Sequence, residues 1–409
     1  MNRPEILSPA GNFEKMRAAI RYGADAVYLA GQIFGMRAAA DNFSIEELAE
    51  AVEYAHERGV KVYLTLNTMP REYEYPMLRK YLSDLSRINL DAMIIADVGV
   101  LTLVKEILPK MEIHISTQAN ATSAAACLAW HMLGAKRVVL ARELTLEEIK
   151  AIRANIPDEL ELECFVHGSM CVSYSGRCLL SNHMVGRDAN RGMCAQPCRW
   201  NYTIKHYEIE EEKRPECKMP VEEVNGETFI MASRDTCTIE HIPELIEAGI
   251  NSFKIEGRMK SAYYTAVVTN TYKMAIDAYF EGDYEYNPDW YRELESVSHR
   301  DYHTGYYFDD SHADANLAPN NGYIKDKAYL AVAISYDAEK GIAEFAQRNK
   351  MCVGDAAELL TPGKIGKSLV IGELFDENMN VIESTPHPYM KFFMKTDFEV
   401  REGDILRAK

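Results

Sequence analysis

The sequence lacks several features that would assign it to a class directly. No apolar run reaches the roughly 18 residues that a membrane-spanning helix needs, and the first residues carry neither the apolar core nor the cleavage site of a signal peptide. Positive charge is also scarce: 45 Lys and Arg face 62 Asp and Glu, for a net charge of −17. These absences predict a soluble cytoplasmic protein, outside any membrane, that contacts RNA only through a local patch.

Familiar catalytic motifs are missing as well. Residues 363–368 look like a phosphate-binding loop, but the first glycine is misplaced and no strand–helix pattern surrounds them. The sequence has no His-Glu-x-x-His motif, no Gly-x-Ser-x-Gly motif, and no third cysteine after Cys198 to complete the triad of radical enzymes. The Gly-rich dinucleotide fingerprint is absent after the first predicted strand. No protease machinery is therefore visible.

The first part of the chain alternates between β-rich runs and helical patterns. Eight such runs occupy residues 5–9, 26–30, 61–67, 91–97, 112–118, 137–142, 162–168 and 251–257. Ser44 with Glu47, and Thr145 with Glu148, are typical capping boxes that begin helices between the runs. Eight strand–helix units in about 280 residues predict a (β/α)8 TIM-like barrel. A doubly wound open sheet is the structural alternative.

Two segments depart from this alternation. Roughly 70 residues separate the seventh strand from the next helix, and such a long interval is usually functional. We assign it to a cysteine-rich insertion at residues 169–236, within a catalytic barrel over residues 1–281. Residues 282–321 are interpreted as a linker that contains a short helix. Residues 322–409 hold short runs split by Gly, Pro and Asp, which predicts a small all-β barrel.

The cysteine cluster is the strongest chemical signal. Four of nine cysteines fall in one short stretch: Cys171, Cys178, Cys194 and Cys198. In a reducing compartment such a cluster indicates a metal site rather than disulfides, and four thiolates can hold zinc or an iron–sulfur cluster. Only Cys194 and Cys198 form a short pair, which suits a larger cluster better than a zinc knuckle. Buried reduced cysteines are the remaining alternative.

Polar side chains recur where the predicted strands end. The most suggestive are Lys254, Glu256 and Arg258 at the eighth strand, with Arg142 at the sixth and His167 at the seventh. In a barrel these ends converge on one mouth, so the cations predict a site for an anionic substrate. His167 is the expected proton carrier, because the pKa of an unperturbed histidine lies near neutrality. Helix capping and mutual pairing are the alternative roles.

The insertion also carries a local basic run. Arg187, Arg191 and Arg199 are interleaved with aromatic residues such as Trp200. Basic groups among aromatic rings predict contacts to single-stranded RNA, whose bases stack on such rings. The alternative is a solvated loop whose arginines pair with acids.

Several motifs together resemble those of peptidase family U32, whose members include collagenase-like peptidases. The signature runs from Glu163 to Cys171 as Glu-x-Phe-x2-Gly-Ser-Met-Cys and continues as Gly-Arg-Cys-Leu-Leu-Ser at residues 176–181. Residues 7–11, 23–28, 116–120, 187–192 and 254–258 match the family as well. The resemblance covers nearly the whole chain and is greatest to the family's tRNA 5-hydroxyuridine hydroxylation members.

This resemblance implies an oxygen-independent RNA hydroxylase. Its implied substrate is the wobble uridine of tRNA, its oxygen source is the dianion prephenate, and its cofactor is a 4Fe-4S cluster, with zinc as the alternative. The implied ligands are Cys171, Cys178 and Cys194, with Cys198, Cys217 or Cys237 as the fourth. A homo-oligomer or a hetero-oligomer with a family relative stays open. A peptidase is the alternative function, and a non-catalytic RNA-binding module is the third.

Overall fold

The chain is described here by a computed structural model, which covers residues 2–36, 41–171, 173–199, 209–211, 214–219, 223–224, 227–228, 234–282, 284–308, 324 and 327–409. For residue 199 and for the segments between 209 and 228, it describes the backbone only. The helices in this part of the chain are α1 (Phe13–Arg21), α2 (Ile45–His56), α3 (Tyr75–Leu85), α4 (Val98–Ile107), α5 (Ala124–Met132), α6 (Leu146–Ala154), α7 (Leu180–Val185), α8 (Ile242–Glu247), α9 (Ala262–Glu281) and α10 (Pro288–Glu295). None of them is long and apolar enough to cross a membrane.

The N-terminal part is built around a closed parallel barrel. Its strands and those of the insertion are β1 (Glu5–Pro9), β2 (Ala26–Ala30), β3 (Lys61–Leu66), β4 (Ala92–Ile95), β5 (Glu112–Ile115), β6 (Arg137–Val139), β7 (Glu161–Ser169), β8 (Ile209–Glu211), β9 (Arg214–Met219), β10 (Glu223–Val224), β11 (Glu227–Thr228), β12 (Asp235–Cys237), β13 (Ser252–Ile255) and β14 (Tyr302–His303). Strands β1 to β7 pair in sequence order, and β13 closes the ring because Ser252 lies opposite both Glu5 and Glu163. The predicted (β/α)8 barrel is confirmed, and the open sheet is excluded.

Alternation along the barrel strands divides the apolar residues between two cores. Leu7, Tyr28, Tyr63 and Ile94 form a small cluster inside the barrel, and their neighbours such as Ile6 pack outward against the helices. The predicted capping boxes are both present, at the N-termini of α2 and α6. Strands β1 and β2 end where their predicted runs end, and β7 ends one residue later. The other five barrel strands end one to three residues sooner, because the last residues of those runs already belong to the loops at the barrel mouth.

Part of the segment interpreted as a linker packs against the barrel instead. Trp290 and Leu294 of α10 are buried in the main core, and β14 pairs with β12. Strand β12 in turn runs antiparallel to the end of β7, with Asp235 opposite Ser169. The apolar residues of α10 are few but share one face, and this is enough to dock the helix.

The C-terminal part forms an antiparallel half-barrel, which confirms the predicted small all-β domain. Its strands are β15 (Tyr329–Asp337), β16 (Ile342–Gln347), β17 (Ala356–Leu360), β18 (Lys367–Val370), β19 (Leu374–Phe375), β20 (Val381–Ile382), β21 (Lys391–Lys395) and β22 (Ile405–Ala408), in the spatial order 18-17-22-15-16-21-19-20. Buried Phe345 and Phe392 stack in its own core at 5.4 Å.

Buried polar contacts fasten this half-barrel to the helices of the barrel. The guanidinium of Arg407 is 1% exposed and pairs with Glu293 of α10 at 2.7 Å and with Glu358 at 2.8 Å. The loop that resembles a phosphate-binding motif joins the same contact: Gly363 N donates to Asn270 and Gly366 N donates to Glu293. Two of its backbone donors are therefore engaged in docking the two domains.

Candidate active site at the barrel mouth

The four clustered cysteines line one cavity at the barrel mouth. The cavity has a volume of about 340 Å³ and is lined by Cys171, Cys178, Cys194 and Cys198 together with mouth residues of the barrel. Cys171 lies two residues after the end of β7, whereas the other three lie in the segments before and after α7. The fold thus brings to one cavity four thiols that are spread over the 28 positions from Cys171 to Cys198.

A close backbone approach brings the Cys178 loop to the mouth. Gly176 has φ +74°, and a Cβ at this position would lie 2.8 Å from the carbonyl oxygen of Gln118. Only glycine fits such a position without strain. Beside it, Asn120 Nδ2 donates to the Ser175 carbonyl at 2.6 Å. The loop after β5 therefore holds the segment that carries Cys178.

The donor set fits a multi-iron cluster by its chemistry. All four side chains are thiols, which are the usual protein ligands of iron–sulfur clusters. In the part of the chain that is described, no group of three or more His, Cys, Asp or Glu side chains is arranged to hold a single metal ion. The four thiols line one cavity, so they are the residues of this site that could hold such a cluster.

The geometry favours Cys198 over Cys237 as the fourth ligand. Cys237 lies on β12, is 6% exposed, and does not line the cavity. Burial raises the pKa of its thiol to about 12, which opposes the thiolate form that metals bind. The third candidate, Cys217, lies on β9, outside the residues whose side chains are described.

The predicted cations and the carboxylate meet in a second, smaller cavity. Arg142, Lys254, Glu256 and Arg258 line this space of about 50 Å³. It shares Arg142, Glu256, Met36 and Gln118 with the cysteine cavity. The structure thus places the strand-end residues together and beside the thiols. Met36, which the sequence reasoning missed, gave no signal because it lies in an irregular segment.

The positive charge of Lys254 is balanced by a buried acid, Glu163, which the sequence reasoning did not single out as a site residue. Its Nζ donates to Glu163 Oε1 at 2.6 Å, and Glu163 also pairs with Arg137 at 3.2 Å. Burial alone would raise the pKa of Glu163, but Lys254 and Arg137 hold it below its usual range. Charged residues at inward positions of β-rich runs were the available signal.

Arg142 packs against an aromatic ring, whereas Arg258 contacts an amide oxygen. The Arg142 guanidinium lies 4.3 Å from the centre of the Phe165 ring and donates to the Ser169 carbonyl at 2.9 Å. Arg258 Nη1 lies 3.5 Å from Asn42 Oδ1. Arg142 and Arg258 both line the smaller cavity, and a guanidinium suits the binding of an anionic ligand.

The role predicted for His167 is wrong. Its side chain is 1% exposed and lies among the rings of Tyr264, Tyr272 and Tyr302 instead of lining either cavity. Burial, the largest effect, lowers its pKa to about 3, so the ring stays neutral near pH 7. The cause is a bulge in β7: Phe165 lies opposite Lys254, and His167 lies opposite the next residue, Ile255. This extra residue turns His167 to the outer face.

The basic run is only partly available for RNA. Both terminal nitrogens of the Arg191 guanidinium, Nη1 and Nη2, donate to the Glu74 carboxylate, at 2.9 and 2.7 Å, and these hydrogen bonds lower the pKa of the Glu74 carboxyl. Arg191 thus matches the alternative of an arginine paired with an acid. Arg187 is exposed and donates to the Met193 carbonyl at 3.0 Å. The Arg199 side chain and Trp200 lie outside the described residues.

Comparison with known proteins identifies the family whose sequences this chain resembles. Residues 11–317 match the description "Peptidase family U32", and residues 325–407 match "Peptidase family U32 C-terminal domain". The chain is 35% identical over 416 residues to tRNA hydroxylation protein P1 of Bacillus subtilis, covering 99% of this chain and 94% of that protein.

Two further relatives carry different names. The chain is 38% identical over 280 residues to the 23S rRNA 5-hydroxycytidine C2501 synthase of Escherichia coli, covering 68% of this chain and 40% of that protein. It is 33% identical over 375 residues to a protein named collagenase from Porphyromonas gingivalis, covering 88% of this chain and 87% of that protein. Both domain matches and the near full-length similarity show that the chain belongs to peptidase family U32.

Proposed function

We propose that this protein is an oxygen-independent RNA hydroxylase that converts the wobble uridine of tRNA to 5-hydroxyuridine, with prephenate as the oxygen donor. One observation carries the proposal: a cavity lined by four thiols shares residues with a pocket lined by cations. The relatives named for tRNA hydroxylation and for 5-hydroxycytidine synthesis support RNA as the substrate class.

In this proposal Cys171, Cys178, Cys194 and Cys198 hold a 4Fe-4S cluster. When bound, such a cluster supplies one-electron chemistry beside the cation-lined pocket. The loop contacts of Gly176 and Asn120 keep the Cys178 segment against the barrel mouth, so that the thiols and the pocket form one site. A purely structural zinc site would not need the neighbouring cations.

The cations bind and orient the small anionic donor. Arg142 and Arg258 hold its two carboxylates through charge-assisted hydrogen bonds, and its ring lies in the adjoining cavity of about 340 Å³, because the pocket of about 50 Å³ is too small for the whole donor. Glu256 lines both cavities, and in this proposal its carboxylate accepts the proton from the reacting base. Lys254, paired with Glu163, holds the pocket wall in place.

A complementation experiment tests the proposal. A strain that lacks 5-hydroxyuridine in its tRNA receives the wild type, Cys178→Ser, Arg258→Ala or the control Arg292→Ala, which removes an exposed arginine on α10. We expect the wild type and the control to restore the nucleoside in mass spectrometry of hydrolysed tRNA. Both site variants should lower it at least about a hundredfold, as for a lost group that stabilises the transition state.

Two outcomes would contradict the proposal. Full nucleoside levels with Arg258→Ala would remove the cation pocket from the reaction. Gelatin cleavage by highly purified wild type, with no nucleoside restored, would assign the site to the peptidase alternative.

A further inference from the structure

One aromatic side chain at the rim of the cysteine cavity has no role in the chemistry proposed above. Tyr174 lies between Cys171 and Cys178 in the sequence, lines the cavity, and is 49% exposed. Among the residues that the structure describes, its ring contacts no other ring and no cation, and its hydroxyl has no hydrogen-bond partner. An exposed ring without protein partners beside a reaction site is suited to binding a ligand.

The turn that carries Tyr174 is fixed to the barrel mouth. The Tyr174 carbonyl accepts a hydrogen bond from Arg177 N at 3.1 Å, which closes the turn, and Asn120 Nδ2 donates to the Ser175 carbonyl at 2.6 Å. A Cβ on Gly176 would lie 2.8 Å from a backbone oxygen of the loop after β5, so the turn packs tightly there. Because the backbone is held, only the two side-chain torsions of the tyrosine remain to be ordered on binding.

Other apolar side chains are exposed at the same rim. Met259, in the loop after β13, also lines the cavity and is 48% exposed. Leu179, near the start of α7, is exposed as well. Exposed apolar side chains around the opening of a cavity mark a binding surface, and their ligand must offer an apolar face.

The cations that line the cysteine cavity are already engaged. They are Arg142, which the proposed function assigns to the donor, and Lys260, whose Nζ donates to the Ser298 carbonyl at 2.8 Å and lies 4.0 Å from Asp235. The chain as a whole carries a net charge of −17. An RNA held at this opening therefore needs contacts that do not depend on neutralising phosphates.

A nucleobase offers the flat apolar face that such a rim can bind. Bases of single-stranded RNA stack on aromatic side chains, and the stacking tolerates any base because every base has a π-face. In the proposed function the reacting base enters the cavity as far as Glu256. The bases on either side of it in the RNA chain then lie at the opening, where the exposed part of the Tyr174 ring is found.

We infer that Tyr174 stacks on the base of a nucleotide next to the reacting uridine and thereby holds the RNA at the cavity opening. The inference rests on the proposed function in taking that uridine as the base that enters the cavity. It makes Tyr174 a substrate-binding residue that does not touch the reacting atoms.

Anaerobic binding of the anticodon stem-loop at several salt concentrations tests the inference without turnover. The proteins compared are the wild type, Tyr174→Ala, Tyr174→Phe and the control Tyr389→Ala, which removes an exposed ring on the half-barrel. Tyr174→Ala should lose about tenfold or more in affinity, whereas Tyr174→Phe and the control should bind like the wild type, because stacking needs the ring at this position and not the hydroxyl. The slope of log affinity against log salt should stay unchanged, since no phosphate contact is lost.

Removing single bases from the RNA locates the contact. Two further stem-loops carry an abasic nucleotide on the 5′ or the 3′ side of the reacting uridine. One of them should bind the wild type about tenfold or more weakly, and on this RNA Tyr174→Ala should cause no further loss, because the base and the ring belong to one contact. On the other stem-loop the loss caused by Tyr174→Ala should persist.

Iron and sulfide content guards against a damaged cysteine loop. If Tyr174→Ala loses its iron, Tyr174→Leu, which keeps apolar volume without a flat ring, takes its place in the same comparisons. Any of three results would overturn the inference: wild-type affinity without the ring, an equal loss with Tyr174→Phe, or additive losses on both abasic stem-loops.

The same measurements keep this inference separate from the proposed function. If the ring and one neighbouring base are coupled but no preparation forms 5-hydroxyuridine, the stacking contact stands and the hydroxylase fails. If 5-hydroxyuridine forms but the losses are additive, the hydroxylase stands and the stacking contact fails.

Discussion

The buried position of His167 makes a quantitative prediction about pH. Burial lowers the pKa of this ring from its ordinary 6.5 to about 3, with smaller effects from Asp235, His299 and Lys260. In the unfolded chain the ring regains the ordinary value. Between these two pKa values the unfolded state therefore binds a proton that the folded state does not, so stability falls as pH falls below 6.5.

The size of the effect follows from the pKa difference. Each pH unit below 6.5 costs about 1.4 kcal/mol until the folded pKa is reached. On lowering the pH from about 7.5 to about 5, this one residue should reduce the free energy of unfolding by about 2 kcal/mol. His114 is also fully buried, and burial lowers its pKa, so the wild-type loss contains a second contribution. Comparing the wild type with a variant at His167 isolates the contribution of His167.

The assay is urea unfolding of the wild type, His167→Gln and the exposed control His387→Gln at both pH values. His167→Gln should be less stable than the wild type at the higher pH, but it should lose about 2 kcal/mol less on acidification. The control should keep the wild-type pH dependence. An equal loss in the wild type and His167→Gln would show that His167 is protonated in the folded protein, and the catalytic role withdrawn above would have to be reconsidered.

Two further predictions concern the mouth. Gly168 has φ +109°, and a Cβ there would lie 2.4 Å from the Glu256 carbonyl oxygen, whereas Gly186 has φ +66° and open space. Gly168→Ala should therefore lower the thermal midpoint by several degrees more than Gly186→Ala, and equal shifts would show that only backbone strain matters. Anaerobically purified protein should contain iron and acid-labile sulfide, which Cys171→Ser should remove and Cys352→Ser, in the half-barrel, should not. Stoichiometric zinc without sulfide would exclude the iron–sulfur cluster.

The barrel could be predicted because its signals are local and repeated. Strand runs and capping boxes each span a few residues, and closure then follows from counting eight units. The meeting of Arg142, Lys254 and Arg258 was also predictable, since the carboxyl ends of barrel strands share one mouth. The thiol cavity follows from the same rule, because the insertion leaves the barrel at the end of β7.

The errors come from contacts that span long sequence separations. The bulge that turns His167 outward is set by pairing with β13, nearly 90 residues away, and no pattern within β7 reports it. The docking of α10 depends on a core built mostly by earlier residues. Arg191 has the composition of an RNA contact, yet its partner Glu74 precedes it by 117 positions. In each case the local sequence pattern indicated the character of the residue correctly, but it did not indicate the distant residue that the side chain contacts.

The insertion shows how such distant partners can form one site. Asn120 in the loop after β5 holds the Ser175 carbonyl, and Glu74 after β3 holds Arg191. These anchors lie in two different segments of the mouth, and the residues that they hold, Ser175 and Arg191, bracket Cys178 in sequence. The thiols are thereby fixed to the same loops that shape the cation pocket, although neither Asn120 nor Glu74 lines a cavity. The loops of the barrel consequently set the position of the thiols relative to the cation pocket. This explains how four cysteines at irregular spacing in the sequence can line one cavity.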